Sequence, residues 1–212
     1  MKALHLLGPT GSGKTPLGEV LEARGLYGVR VIHFDFGAEL RRIAGGLPAE
    51  GITPREVSFI KRVLEEGLLL ENEHFYLAEK ILRGVLSRKG ASEGDLLLLN
   101  GLPRHEGQAR DVLRLVDLRL AVELSVEEEV LLERLRRDPA GDRRHRTDDT
   151  AVLVQKKLHW YRERTLPLRE LYRKKGIPLI SLSVEAGDTG ETLRRKLLRA
   201  LPETQFKTIF GF

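Results

Sequence analysis

Five short apolar runs punctuate the chain: Ala3–Leu7, Arg30–Phe34, Leu96–Leu99, Leu118–Leu124 and Pro178–Leu182. Each has the length of a strand, and their residues are nearly all apolar. That pattern predicts strands covered on both faces rather than strands with one wet face. Helix signals fill the intervals, so strand and helix alternate, which predicts a parallel sheet with helices on both sides. One helix start is well marked: Thr53 supplies a cap, Pro54 the first helical position and Glu56 the third. That helix should run to about Glu66 and stop at Gly67, and a second should span Glu73 to Arg88. A long helical stretch from Arg146 through Trp160 and Tyr172 to Lys175 should kink at Pro167. Between Arg137 and Arg146 the residues are polar and include Pro139 and Gly141, which predicts a charged, mobile loop able to close over a ligand.

A length of 212 residues suits one α/β domain, and a 41% hydrophobic content is enough for a core. No apolar run approaches the roughly 20 residues of a membrane span. The chain runs from Met1 straight into its first strand without a charged leader, so the cytoplasm is the expected location. The absence of cysteine excludes disulfides and thiolate metal sites. Scarce methionine and asparagine beside abundant Arg, Glu and Leu fit a heat-tolerant source. The net charge is +5, and Arg outnumbers Lys. The Arg residues are dispersed singly and in pairs instead of forming one block. Because a guanidinium fork matches phosphate oxygens, this favours a polyphosphate substrate over nucleic acid.

The strongest motif is Gly8-Pro9-Thr10-Gly11-Ser12-Gly13-Lys14-Thr15, a full G-x-x-x-x-G-K-[ST] directly after a strand and before a helix. Its glycines let backbone N–H groups curl around a phosphate, and the helix N-terminus adds partial positive charge. Lys14 can reach the β- and γ-phosphates of ATP, and the Thr15 hydroxyl can ligate Mg²⁺. A phosphate loop does not name the reaction. After the third strand comes Asn100-Gly101-Leu102-Pro103-Arg104, a polar residue at a strand's C-terminal end followed by a turn that aims an Arg. His5, His33 and His74 have no metal-ligand spacing and read as structural or surface residues. Trp160 and Tyr161 read as core. The tail from Gln205, with Phe206, Phe210 and Phe212, should pack on the domain's own surface.

These motifs together resemble the adenylate kinase family of nucleoside monophosphate kinases. Asn100-Gly101-Leu102-Pro103-Arg104 with Gln108 is similar to that family's D-G-F-P-R turn and following Gln. Gly37, Leu40 and Arg41 match its T-G-D-x-L-R helix, and Gly67-Leu68-Leu69-Leu70 resembles its G-x-L-V. Arg146-Thr147-Asp148-Asp149 is its R-x-D-D, and Tyr161 with Thr165-Leu166-Pro167-Leu168 resembles its Y-x-x-x-T-x-P-L. The resemblance runs from Leu4 to about Gly176. It implies a three-layer α/β/α P-loop NTPase fold on a five-stranded parallel sheet, with a helical monophosphate-binding insertion and a short lid. The implied division of the single domain 1–212 is a core of 1–34, 95–136 and 150–200, an acceptor region of 35–90, a lid of 137–147 and a tail of 201–212.

The implied roles follow residue by residue. Arg41 and Arg104 bind the acceptor's α-phosphate, Gln108 contacts its base as goes with adenine, and Phe36, Leu69, Leu70 and Gly101 line its pocket. Arg134 holds ATP, Arg146 swings in with the lid, and Lys157 stands where the family has another Arg. The implied partners are ATP with Mg²⁺ and a nucleoside monophosphate, AMP first, and the protein is expected to be a monomer. Three positions depart from the family. The hydroxyl sits at Thr15, in the general P-loop position, and Pro16 follows it. Asn100 replaces the Asp that holds magnesium-bound water, and Asp35 at the end of the second strand is placed to compensate. Lys157 trades a fork for a point charge. Other readings are a P-loop kinase of another small metabolite, a nucleotide-binding regulator with weak transfer, and a transferase acting on tRNA. Arg146-x-Asp148-Asp149 argues against the last.

Overall fold

The structure, a computed structural model, describes residues 1–141 and 149–212. Five strands form one sheet: β1 Lys2–Leu7, β2 Val31–Asp35, β3 Leu96–Asn100, β4 Asp117–Ser125 and β5 Leu179–Ser183. Their order is β2-β3-β1-β4-β5, and every pairing is parallel. The strands lie within a residue or two of the apolar runs, because two covered faces demand apolar residues at both parities. Thus Ala3 and Leu7 of β1 and Leu97 and Leu99 of β3 enter one core, while Leu4, Leu6, Leu96 and Leu98 enter the other.

The first core is closed by α2 (Phe36–Ala44), α3 (Pro54–Glu65), α4 (Phe75–Arg88), α5 (Glu106–Leu115) and a later helix, α8 (Leu168–Lys174). The second is closed by α1 (Lys14–Arg24), α9 (Gly190–Ala200) and α10 (Glu203–Phe210). Two further helices, α6 (Glu128–Arg137) and α7 (Ala151–Trp160), flank the segment outside the described residues. The expected cap of α3 is present in both halves: Glu56 N–H donates to Thr53 Oγ1 at 3.3 Å, and Thr53 N–H donates to Glu56 Oε2 at 2.7 Å. A short 3₁₀ turn, Asn72–His74, precedes α4, so that helix starts two residues later than expected.

The helical stretch expected to run as one piece to Lys175 is three pieces. α7 ends at Trp160, Tyr161–Thr165 form a wider turn, and α8 begins at Leu168. Leu166 N–H donates to Tyr161 O five residues back, at 2.8 Å. Pro167 cannot donate and its ring crowds the preceding turn, so the ladder breaks there. Trp160 and Tyr161, expected in the core, are only half-buried. Trp160 Nε1 donates to Gly67 O at 3.2 Å, and Tyr161 faces the cleft described below. The tail packs on its own domain: Phe206 and Phe210 are buried, Phe206 lies 5.3 Å from the Tyr27 ring, and Lys2 Nζ sits 4.2 Å over Phe212.

Candidate active site

The carboxyl ends of β1, β2 and β3 open into one cleft. That is where parallel sheets bind ligands, because the crossovers part there. The loop from Gly8 leaves β1 and enters α1 at Lys14. Gly13 caps α1 at φ 98, a left-handed conformation that favours glycine, and a Cβ there would meet Leu193 at 2.7 Å. Lys14 Nζ donates to Gly8 O and Pro9 O, both at 2.7 Å, so its ammonium lies across the mouth of the loop. Thr10, Gly11 and Thr15 also face the cleft; Pro9 and Ser12 do not line it. Ser12 Oγ is buried inside the loop and has no hydrogen-bond partner among the described residues.

Beside the loop, Asp35 and Asn100 are register partners at the ends of β2 and β3. Thr15 Oγ1 donates to Asp35 Oδ2 at 2.5 Å, and Asn100 Nδ2 donates to the same oxygen at 2.8 Å. Asp35 Oδ1 accepts from Ala38 N–H at 2.8 Å and so caps α2. Burial opposes the charged carboxylate. Neighbouring His33, the bonds from Thr15 and Ala38, and Arg41 outweigh that and hold its pKa below the usual aspartate value. His33, read from the sequence as a structural or surface residue, is buried on the same strand face as Asp35, with Nε2 3.3 Å from Asn100 Nδ2. Burial pushes its pKa down. Its signal was positional: residues two apart on a strand share a face.

The same cleft is lined by Phe36 and Arg41 of α2, Leu69 and Leu70 after α3, and Gly101, Arg104 and Gln108 around the start of α5. The Arg104 turn is fixed from two sides. Its N–H donates to Gln108 Oε1 at 2.7 Å, and its carbonyl accepts from Thr165 Oγ1 at 2.7 Å. Gln108 Nε2 in turn donates to Leu70 O at 2.7 Å, so one buried amide ties the Arg104 turn to the Leu69–Leu70 wall. Thr165 arrives there because the helix widens before Pro167.

Arg134, on α6, is 3% exposed. It donates to Gly11 O at 3.0 Å, and to Glu185 O at 2.7 Å, Ala186 O at 3.2 Å and Asp188 O at 2.8 Å. It therefore braces the phosphate loop against the turn before α9 as well as facing the cleft. Lys157 also lines the cleft and pairs with Asp149 at 3.1 Å. Arg146 and most of the expected lid lie outside the described residues; Asp138, Pro139 and Ala140 of its first part line the cleft. On the floor, His5 Nδ1 meets Tyr172 Oη at 2.8 Å. Burial, with Lys14 nearby, pushes His5 down to about 3, and burial pushes Tyr172 up. Tyr161, near Glu123 and partly buried, is also pushed up, by burial first.

A P-loop between β1 and α1 of a parallel sheet, with two arginines lining the same cleft, is the arrangement of a P-loop nucleotide-binding protein. No protein-family model matches the chain. It is 30% identical to the adenylate kinase of Parasynechococcus marenigrum (strain WH8102) over 204 residues, which is 93% of this chain and 97% of that one. It is 31% identical over 181 residues to the adenylate kinase of Prochlorococcus marinus (strain NATL2A), covering 83% and 87% of the two chains. With the adenylate kinase of Mycolicibacterium smegmatis (strain ATCC 700084 / mc(2)155) it shares 31% identity over 173 residues, 79% and 84% of the two. The chain belongs to the adenylate kinase family. It is an enzyme that transfers phosphoryl groups to nucleoside monophosphates, in a family that uses ATP and Mg²⁺. No helix among the described residues is long and apolar enough to cross a membrane.

Proposed function

We propose that the chain transfers the γ-phosphoryl group of ATP to AMP, with the phosphate loop holding the donor and residues 35–90 the acceptor. The observation that carries this reading is that Lys14 and Thr15 of the phosphate loop and Arg41 and Arg104 line one cleft. Two polyanions must be held end to end against mutual repulsion. Phosphoryl transfer then needs positioning and charge neutralisation more than a strong base. Lys14 and the loop amides take the donor phosphates, and Arg134 keeps the loop in shape beside them. Arg41 and Arg104 take the acceptor α-phosphate. Lys157, with Arg146 from the lid, adds charge where the phosphoryl group passes. Leu69, Leu70 and Phe36 give the acceptor base an apolar wall, and the hydrogen-bonding capacity left on Gln108 meets its edge.

The donor set beside the loop suits magnesium. Thr15 and Asp35 offer oxygens, with one charge between them, and Asn100, whose Nδ2 is spent on both, has its amide oxygen left for bound water, as a small hard cation wants when phosphates and waters complete its shell. Thr15 Oγ1 would ligate it directly, and Asp35 and Asn100 would hold its waters. Magnesium, when bound, neutralises charge on the β- and γ-phosphates. A second reading, an acceptor other than AMP, is favoured by Gln108, whose oxygen and nitrogen each already serve a backbone partner.

One assay tests both. ADP formation from Mg·ATP is followed with AMP, CMP, UMP, GMP and their deoxy forms. AMP should give the highest kcat/KM, and Arg104→Ala should lower it about ten- to a hundredfold, the worth of a charge-assisted contact. Another acceptor ranking first would replace AMP. Turnover independent of any acceptor, or untouched by Arg104→Ala, would sink the proposal.

A further inference from the structure

Asn100 Nδ2 has three atoms in reach: Asp35 Oδ2 at 2.8 Å, Thr15 Oγ1 at 3.2 Å and His33 Nε2 at 3.3 Å, the last an acceptor in one of its two neutral tautomers. The nitrogen carries two hydrogens. Asp35, nearest and charged, takes one. The second is shared between Thr15 and His33. Thr15 Oγ1 already gives its own hydrogen to Asp35, and it is the atom assigned above to the cation. A cation on that oxygen draws away the electron density that the second Asn100 hydrogen uses. Of the three atoms, only His33 Nε2 can then receive it. It can do so only if its proton sits on Nδ1, because a protonated Nε2 would set two donors face to face.

The surroundings hold His33 to this place. Its N–H donates to Glu22 Oε1 at 2.9 Å, and Lys89 Nζ bonds both its carbonyl, at 2.9 Å, and Glu22. Helix α1 passes so close that a Cβ on Gly18 would stand 2.3 Å from His33 Nε2. The ring is 6% exposed, so little water competes for that nitrogen.

We propose that His33 is a positioning residue of the magnesium site: its bare Nε2 takes the second Asn100 hydrogen when Thr15 turns its oxygen to the metal. The Asn100 amide then keeps its NH₂ against Asp35. Without His33 the second hydrogen loses its acceptor and only the Asp35 bond resists a turn that would set the amide oxygen against the carboxylate and a donor where magnesium-bound water needs an acceptor. This rests on the reading of Thr15, Asp35 and Asn100 as the magnesium residues.

Two measurements test it. Nitrogen-15 spectra of the wild-type His33 ring, with a non-hydrolysable ATP analogue, should show a bare Nε2 whose signal moves when Mg²⁺ is added. A proton on Nε2 overturns the proposal without any variant having to fold. The second is the gain in analogue affinity on adding Mg²⁺. His33→Leu should cut that gain about fivefold, the worth of one hydrogen bond, and leave metal-free affinity unchanged. His33→Gln, which brings an acceptor oxygen, should restore most of it. An equal loss with and without metal makes His33 merely structural and refutes the role. If Asp35→Asn removes the gain and His33→Leu does not, the magnesium reading stands and this inference falls. If neither changes it, the magnesium reading itself falls.

Discussion

Replacing Gly18 by alanine is the sharpest test of how the site is built, because two physical rules give opposite signs. Gly18 lies inside helix α1, where exchange for alanine ordinarily stabilises by about 1 kcal/mol. Here the new Cβ would stand 2.3, 2.4 and 2.6 Å from His33 Nε2, Cε1 and Cδ2. Ordinary contacts need roughly an ångström more. The ring cannot retreat, since its other neighbour is Asn100 at 3.3 Å and its backbone is held by Glu22 and Lys89. Overpacking of this kind costs about 1–3 kcal/mol, and three buried ring atoms below any real contact distance put it at the upper end. The net expectation is a loss of about 2 kcal/mol, after the helix gain of about 1 kcal/mol is set against it. Urea unfolding reads this as a fall in midpoint at constant slope. A Gly18→Ala protein as stable as the wild type would refute the packing argument. The decisive control is a double-mutant cycle. In a His33→Ala background the obstacle is gone, and Gly18→Ala should become neutral or stabilising.

Two other outcomes follow from buried groups around the cleft. His5 must be neutral in the folded protein, with its pKa pushed to about 3, while the unfolded chain binds that proton near pH 6.5. Stability from this source is intact above pH 6.5 and drains away at about 1.4 kcal/mol per pH unit as pH falls toward 3. His5→Gln should flatten the acid limb of a stability–pH curve by one proton, and an unchanged limb would contradict the burial assigned to His5. Arg134→Ala leaves the carbonyls of Gly11, Glu185, Ala186 and Asp188 without their shared cation. A loss of about 3 kcal/mol in unfolding free energy should accompany a raised KM for ATP. A raised KM at unchanged stability would make Arg134 a ligand contact and not a brace.

The sheet was legible because two covered faces force an apolar run that needs no register to be recognised, and the P-loop because its spacing is its mechanism. Thr53-Pro54-Arg55-Glu56 announced α3 for the same reason: the capping chemistry is local. What was not legible depended on long-range register. That His33 serves Asn100 needs β2 and β3 paired with Asp35 opposite Asn100, which no local signal gives. For Arg134 the resemblance implied a hold on ATP, while the carbonyls it bonds at Gly11, Glu185, Ala186 and Asp188 lie in two loops far along the chain, which no local signal gives. Pro167 was marked as a kink in one helical stretch, and the structure has a break there. That the break would widen the preceding turn, carrying Thr165 to Arg104 and Tyr161 to the cleft, depends on how the freed backbone groups find partners.

The exchange of Asn100 for the family's Asp takes a different meaning once its neighbour is known. Asp35 Oδ2 and Asn100 Nδ2 are 2.8 Å apart. Two carboxylates at that distance could not both stay ionised without a cation, so the pair has room for one negative charge before metal binds. On β3 that charge would serve the phosphate loop alone. On β2 it also caps α2, the helix that carries Arg41, by accepting from Ala38 N–H. One carboxylate therefore takes a hydrogen bond from the donor loop through Thr15 and another from the acceptor helix. Any change that draws Asp35 toward the metal side also acts on the first turn of α2, three residues before Arg41. In a chain with Asn at position 100, a single side chain, Asp35, thus joins the phosphate loop to the start of α2.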